Sequence, residues 1–71
     1  MIYYVIELQT YLEAGSTIPY TFTDRNQAEA KYHDILRAAA TSEVPKHGCI
    51  LMNADAFLLK SEMYTHDIIA E

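Results

Sequence analysis

His47 and Cys49 are the residues whose types and spacing come closest to a reactive site. They lie two positions apart in a segment predicted to be a β-strand, so both side chains point to the same face. With His33 or His66 they would offer imidazole and thiolate ligands to zinc. Structural zinc sites use a closed set of ligands in close spacings such as C-x-x-C, which a chain with one cysteine lacks. The sequence therefore predicts no metal site.

Cys49 beside a histidine is also the pattern of a nucleophile with its base. A reactive thiol needs exposure and a lowered pKa, whereas Cys49 lies in an apolar run, so we expect it to be a packing residue. His33 and Asp34 are adjacent on a predicted helix and do not share a face. Glu62 and His66 match no motif. We expect no catalytic residue and no enzymatic activity.

The two glycines, Gly15 and Gly48, are too far apart to form a phosphate-binding loop, and no cofactor is predicted. The 71 residues predict a single domain, 1–71, with 51% hydrophobic and 21% charged residues, which is typical of a globular protein. A chain this short buries only about 60% of the surface that its unfolded form exposes. Its single cysteine excludes an internal disulfide, so it must rely on tight packing or on self-association.

Ten acidic and five basic residues give a net charge of −5, which argues against direct binding of nucleic acid. The acidic residues are scattered along the chain. This pattern is typical of a solubilising surface, and a surface that imitates nucleic-acid phosphates remains an alternative. The N-terminal segment lacks the features of a signal peptide, and no apolar run reaches the ~20 residues of a membrane helix. We therefore expect no membrane association and a cytoplasmic location.

The alternation of apolar residues predicts a strand over residues 2–8. Residues 9–23 contain a turn signal and Pro19, so we expect a loop, with at most a short edge strand at Tyr20 to Phe22. Asp24 is a predicted helix cap, with Gln27 completing a capping box, and Val44-Pro45 ends the helix. One apolar stripe runs along this helix: Ala28, Tyr32, Ile35, Leu36 and Ala39.

A hairpin is predicted over roughly Lys46 to Tyr64, turning at Asn53 to Ala56. Placing Met52 opposite Phe57 sets Ile50 opposite Leu59 on one face. Residues 67–71 are expected to fray. These elements predict an α+β fold, a two-layer βαββ unit with a mainly antiparallel sheet of order 1-3-2 and one helix packed on one face.

One helix can cover only one face of a sheet, so the other face needs a partner. Because Glu7 marks its side of the first strand as the less buried one, we place the uncovered face on that side. The predicted interface residues are Tyr3, Val5, Cys49, Leu51, Leu58 and Tyr64. Tyrosine is common at interfaces because it combines a large contact area with a polar tip. The expected partner is a protein, either a second copy or another chain.

Several short segments have a familiar pattern: Glu7-Leu8-Gln9-Thr10, Asp24 to Glu29 running into Lys31-Tyr32-His33, Val44-Pro45, and Glu62-x-Tyr64-x-His66. The chain resembles short uncharacterised proteins from prophage and mobile-element regions of anaerobic Gram-positive bacteria. The resemblance implies a phage accessory protein in the bacterial cytoplasm or in the virion, and it carries no site residues. This chain departs from the pattern at Ala54-Asp55-Ala56, where relatives tend to have a glycine, which puts the turn type in doubt.

Three functions follow as expectations. The first is a small non-enzymatic accessory protein that binds proteins through its uncovered face, as a homo-oligomer. The second is an acidic inhibitor of a bacterial defence nuclease, and the third is a minor structural component of the virion.

Overall fold

A computed structural model describes residues 1–66, which form a four-stranded antiparallel sheet with one helix packed on one face. The elements are β1 (Tyr3–Thr10), β2 (Gly15–Phe22), α1 (Arg25–Ala40), β3 (Lys46–Asn53) and β4 (Leu58–Thr65). The predicted α+β class, with a single helix on one face, is confirmed. Residues 67–71, which were expected to fray, lie outside the described range.

The strand order is β2-β1-β3-β4, and the predicted order 1-3-2 is wrong. The difference arises in residues 9–23, where the edge strand β2 covers Gly15–Phe22 and is longer than the short edge strand allowed at Tyr20 to Phe22. The Tyr11 amide donates to the Ala14 carbonyl (2.7 Å) and closes a tight turn, after which β2 pairs with β1 along its whole length. This hairpin reverses the chain before the helix, so β3 returns parallel to β2 and pairs antiparallel with β1 on the opposite side.

The helix begins as its sequence predicts. The Asp24 carboxylate accepts a hydrogen bond of 2.9 Å from the Asn26 amide, so Asp24 is the cap, although the bond goes to Asn26 rather than to Gln27. The helix ends at Ala40, a few residues before Val44-Pro45. Its predicted stripe is confirmed: Ala28, Tyr32, Ile35 and Ala39 are buried, and Leu36 packs beside them. No helix within residues 1–66 is long and apolar enough to cross a membrane.

The core lies between α1 and the two central strands. Val5, Cys49 and Leu51 are fully enclosed there. The partly buried residues packed around this core are Tyr3, Tyr20, Phe22, Leu36 and Leu59.

The second hairpin has a different register from the predicted one. Its turn is held by Asn53, whose side-chain oxygen accepts from the amides of Asp55 (2.9 Å) and Phe57 (3.0 Å). A bulge then places Met52 opposite Leu58 instead of Phe57, and Phe57 is 65% exposed. Ala56 has a φ of 65°, a conformation that glycine adopts more readily.

Candidate functional site: the open face of the sheet

The helix covers the side of the sheet that the sequence predicted to be bare. Val5, Cys49 and Leu51 point at α1 and have no exposed surface. Tyr3 packs against the same core, and Tyr64 shares that face because it pairs with the inward-facing His47. The predicted placement of these residues on an uncovered face is therefore wrong.

Leu58 is the one predicted interface residue that the register places on the uncovered side. It pairs with Met52, whose β1 partner is Tyr4, and it is 52% exposed. Cross-strand partners share a face, so the whole uncovered side follows from the register. We call this surface the open face. It consists of Tyr4, Ile6 and Leu8 (β1), Thr17, Pro19 and Thr21 (β2), Gly48, Ile50 and Met52 (β3), and Leu58, Ser61 and Met63 (β4).

The open face contains no charged residue. The charged residue that borders it is Lys46, which pairs with Thr10 at the end of the β1–β3 ladder. The carboxylates within residues 1–66 lie on the helix-covered face (Glu7, Glu62), on α1 (Glu29, Asp34) or in the connections (Glu13, Asp24, Glu43, Asp55). Although the chain has a net charge of −5, none of the acidic groups in the described part of the chain lies on the open face.

The large side chains of the open face differ in exposure. Met63 is 41% exposed on edge strand β4, whereas Ile6 and Ile50 in the centre are half-buried by their neighbours within the sheet. No other helix or strand of residues 1–66 packs over this surface. Among the described helices and strands, its apolar groups are therefore shielded only by neighbouring residues of the sheet itself.

Gly48 shapes the middle of the open face. A Cβ atom at this position would collide with the Glu62 carbonyl oxygen and would lie 2.9 Å from the Met63 Cα and 3.0 Å from its sulfur. Glycine is required here because β4 approaches β3 closely and the Met63 side chain lies over the gap. The result is an apolar surface that continues from β3 onto β4.

A polar cluster on the opposite face was missed by the sequence prediction. The His47 imidazole is 5% exposed, with its Nε2 2.6 Å from the Glu7 carboxylate and its Nδ1 2.8 Å from the Ser42 hydroxyl. An ionised carboxylate only accepts hydrogen bonds, so Nε2–H donates to Glu7. The Gln9 amide donates to the same carboxylate oxygen (2.8 Å), and the Val44 amide donates to the Ser42 hydroxyl (3.4 Å).

This cluster explains why the sequence analysis assigned the uncovered face to the wrong side of the sheet. Glu7 is a charged residue on the covered side, and burial alone would raise its pKa, but hydrogen bonds from Gln9 and His47 and the nearby charge of Lys31 outweigh burial and lower the pKa. A carboxylate supplied with these donors can lie on the covered side of a strand. His47 was the residue that could have indicated a buried Glu7. It pairs with Gln9 in the register and lies diagonally next to Glu7.

Ser42, His47 and Glu7 follow the order of a Ser–His–carboxylate triad. In an acyl-transfer enzyme the serine oxygen must face a substrate and a set of oxyanion donors. Here Ser42 bonds to the Val44 amide within its own turn, and the imidazole is enclosed. The arrangement instead fixes the connection between α1 and β3 to the central strand β1.

That connection also forms one wall of a shallow depression of about 500 Å³ at the end of the sheet. Glu43 and Pro45 line it on one side, and Tyr11, Leu12 and Glu13 of the β1–β2 turn line it on the other. The depression lies outside the open face, and the polar cluster fixes the position of one of its sides.

Cys49 is an enclosed thiol. Burial raises its pKa to about 11, with the charge of its cross-strand neighbour Glu7 as a further cause, and the side chain is part of the core. A protonated, inaccessible thiol is neither a nucleophile nor a ready metal ligand. Within residues 1–66 no group of three or more potential ligand residues is positioned to hold a metal ion.

The comparisons with known proteins assign no family. No family model, no curated protein and no solved structure matches the chain. The geometry of the open face is therefore the basis for the function proposed below.

Proposed function

We propose that this chain is a small non-enzymatic protein-binding module, of the phage accessory kind that its sequence resembles, and that the open face is its docking surface. One observation carries the proposal: a molecule of net charge −5 has an uncharged, largely apolar sheet face that none of its own described helices or strands covers.

The size of the face supports this function. With strands about 4.8 Å apart and about 3.3 Å of rise per residue, four strands of some seven residues present roughly 450 Å². The largest apolar patch on a typical soluble monomer covers about 300–600 Å² and is often functional. A face of this extent is large enough for a specific contact.

The placement of reactive groups favours binding over catalysis. Cys49 and His47 lie on the helix-covered side, and the hydrogen bonds of His47 are satisfied within the fold. The open face presents aliphatic, aromatic, thioether and hydroxyl side chains, which suit contact with another apolar surface.

The acidic residues give the nuclease-inhibitor hypothesis less support than the open face gives the protein-binding one. Asp24 caps the helix, and Glu29 and Asp34 form ion pairs with Arg25 and Arg37, so several acidic groups are engaged within the chain. A virion component would use the same open face as an accessory protein, and the two are distinguished by the partner that is found.

Site-specific photo-crosslinking tests the proposal. A benzophenone amino acid replaces Met63 on the open face or, as a control, Ile18, which has a similar exposure (39%) but faces the helix side of β2. We expect protein adducts from position 63 in cells that express the full chain at native level, and few from position 18. Equal labelling from both positions, or none from position 63, would contradict a docking role for the open face.

A further inference from the structure

We infer that the open face binds the open face of a second copy of the same chain, giving a symmetric dimer in which the two sheets pack face to face between two outer helices. This inference rests on the proposed function and names the partner. The argument uses the charge, the area and the two edges of the sheet.

Charge limits which surfaces two copies can bring together. Each copy carries −5, so contact through the helix or the connections would bring carboxylates close to one another. Within residues 1–66 the open face carries no acidic group, and pairing it with itself leaves the carboxylates of this part of both copies on the outside. A two-fold contact uses the same patch on both copies, which suits a surface whose residues are uniformly apolar or uncharged.

The area meets the requirement of a dimer. Two open faces of roughly 450 Å² in projection bury about 1,000 Å² or more of accessible surface when packed together, since side chains add relief. This value reaches the lower limit of specific protein interfaces, which is about 1,000 Å². Sheets packed in this way lie about 10 Å apart, with the side chains of the two inner faces interdigitated.

The edges of the sheet disfavour the competing geometry, in which copies join strand to strand. Proline in a sheet occupies edge positions whose amide would face solvent, so Pro19 removes a donor from the middle of the β2 edge. On the other side, the bulge beside Leu51 and Met52 interrupts the ladder between β3 and edge strand β4. Prolines and bulges are features by which proteins prevent edge-to-edge pairing.

The test is sedimentation equilibrium of the full chain over a range of concentrations. The expected wild-type mass is twice 8.1 kDa at micromolar concentration. Met63→Lys places a charge in each half of the interface, and we expect it to weaken the dimer at least about tenfold. Ser61→Lys is a second face variant, which exchanges one exposed polar residue for another and so leaves folding unaffected.

Ile18→Lys is the matched control, since Ile18 has a similar exposure to Met63 but lies on the helix side of β2. Retention of the dimer in this variant, with dissociation in both face variants, supports the inference. A wild-type dimer that withstands both face variants overturns it.

Two other results overturn the inference in distinguishable ways. A monomer whose position 63 still crosslinks to a different protein excludes the second copy and leaves the proposed function in place. A monomer in which deletion of residues 67–71 newly exposes the open face to a hydrophobic dye identifies the chain's own tail as the occupant. That outcome excludes both the dimer and the docking function.

Discussion

The two faces of this sheet are formed by the same strands but differ in burial and in charge. The helix-covered face contains the enclosed residues Val5 and Leu51. It also contains Glu7 and His47, which form a hydrogen bond with each other. The open face has neither an enclosed side chain of large volume nor a charge. The difference shows that a charged residue in a strand is a poor marker of the solvent side when a partner on the next strand satisfies it.

The largest expected difference between the faces is in core packing. Leu51→Ala should lower the free energy of unfolding by about 3 kcal/mol, because it leaves a cavity beneath α1. Ile50→Ala, one residue away on the open face, should cost about 1 kcal/mol in the monomer because less surface is lost from a half-buried position. Urea unfolding at low protein concentration measures both values.

Equal costs for these two variants would contradict the assignment of the faces. A cost for Ile50→Ala that grows with protein concentration would support the proposed dimer as well, because that dimer would bury Ile50 more fully than the monomer does.

A second comparison concerns the two glycines. Gly48→Ala should destabilise the fold by about 2 kcal/mol, because the added Cβ meets the backbone of β4 and forces the strands apart. Gly15→Ala is the control, since its Cβ has 3.9 Å to the nearest atom, the Gln9 carbonyl oxygen. Thermal unfolding followed by circular dichroism should rank the two variants, and a loss of stability for Gly15→Ala as large as that for Gly48→Ala would be contrary to this account.

The smallest expected effect is the pH dependence of the polar cluster. The pKa of Glu7 is lowered in the folded chain, so its contribution to stability is present above the unfolded pKa of about 4.5 and is lost as the pH falls through the lower, folded value. Glu7→Gln should cost about 1 kcal/mol at neutral pH and flatten the decline of stability in acid.

Glu29→Gln is the matched control for this experiment. Hydrogen bonds from Lys60 and Arg25 also lower the pKa of Glu29, but these are surface pairs that salt screens. We expect its acid response to shrink at high salt and that of Glu7 to persist. Identical salt dependence of the two variants would show that the Glu7 pair is not shielded by the fold.

Local sequence patterns predicted the helix and the class of the fold. They failed for the strand order and the two faces of the sheet, which depend on tertiary contacts. The helix cap at Asp24 and the stripe from Ala28 to Ala39 depend on neighbours in sequence, and both are found. Only the last three residues of β2 were allowed as a strand, because Pro19 and the turn signal before it favoured a loop, yet proline is tolerated in an edge strand. The resulting error in strand order followed directly, since the extra hairpin reverses the direction in which β3 returns.

The faces themselves were not predictable from alternation alone. Both sides of β1 and β3 are apolar, so the choice depended on Glu7, whose partner His47 lies far away in the sequence. The register of the second hairpin depended on a bulge and on the turn around Asn53, which single-residue preferences do not specify.

The enclosure of Cys49 has a practical consequence for studying the protein in solution. Burial raises the pKa of its thiol to about 11, and the side chain has no exposed surface, so we expect thiol reagents to react with it slowly in the folded chain. The native cysteine can therefore remain in place when a second cysteine is introduced at the surface for fluorescent or spin labelling. Slow modification of the natural thiol then reports the local or global openings that expose Cys49, so its rate measures how often this part of the core opens.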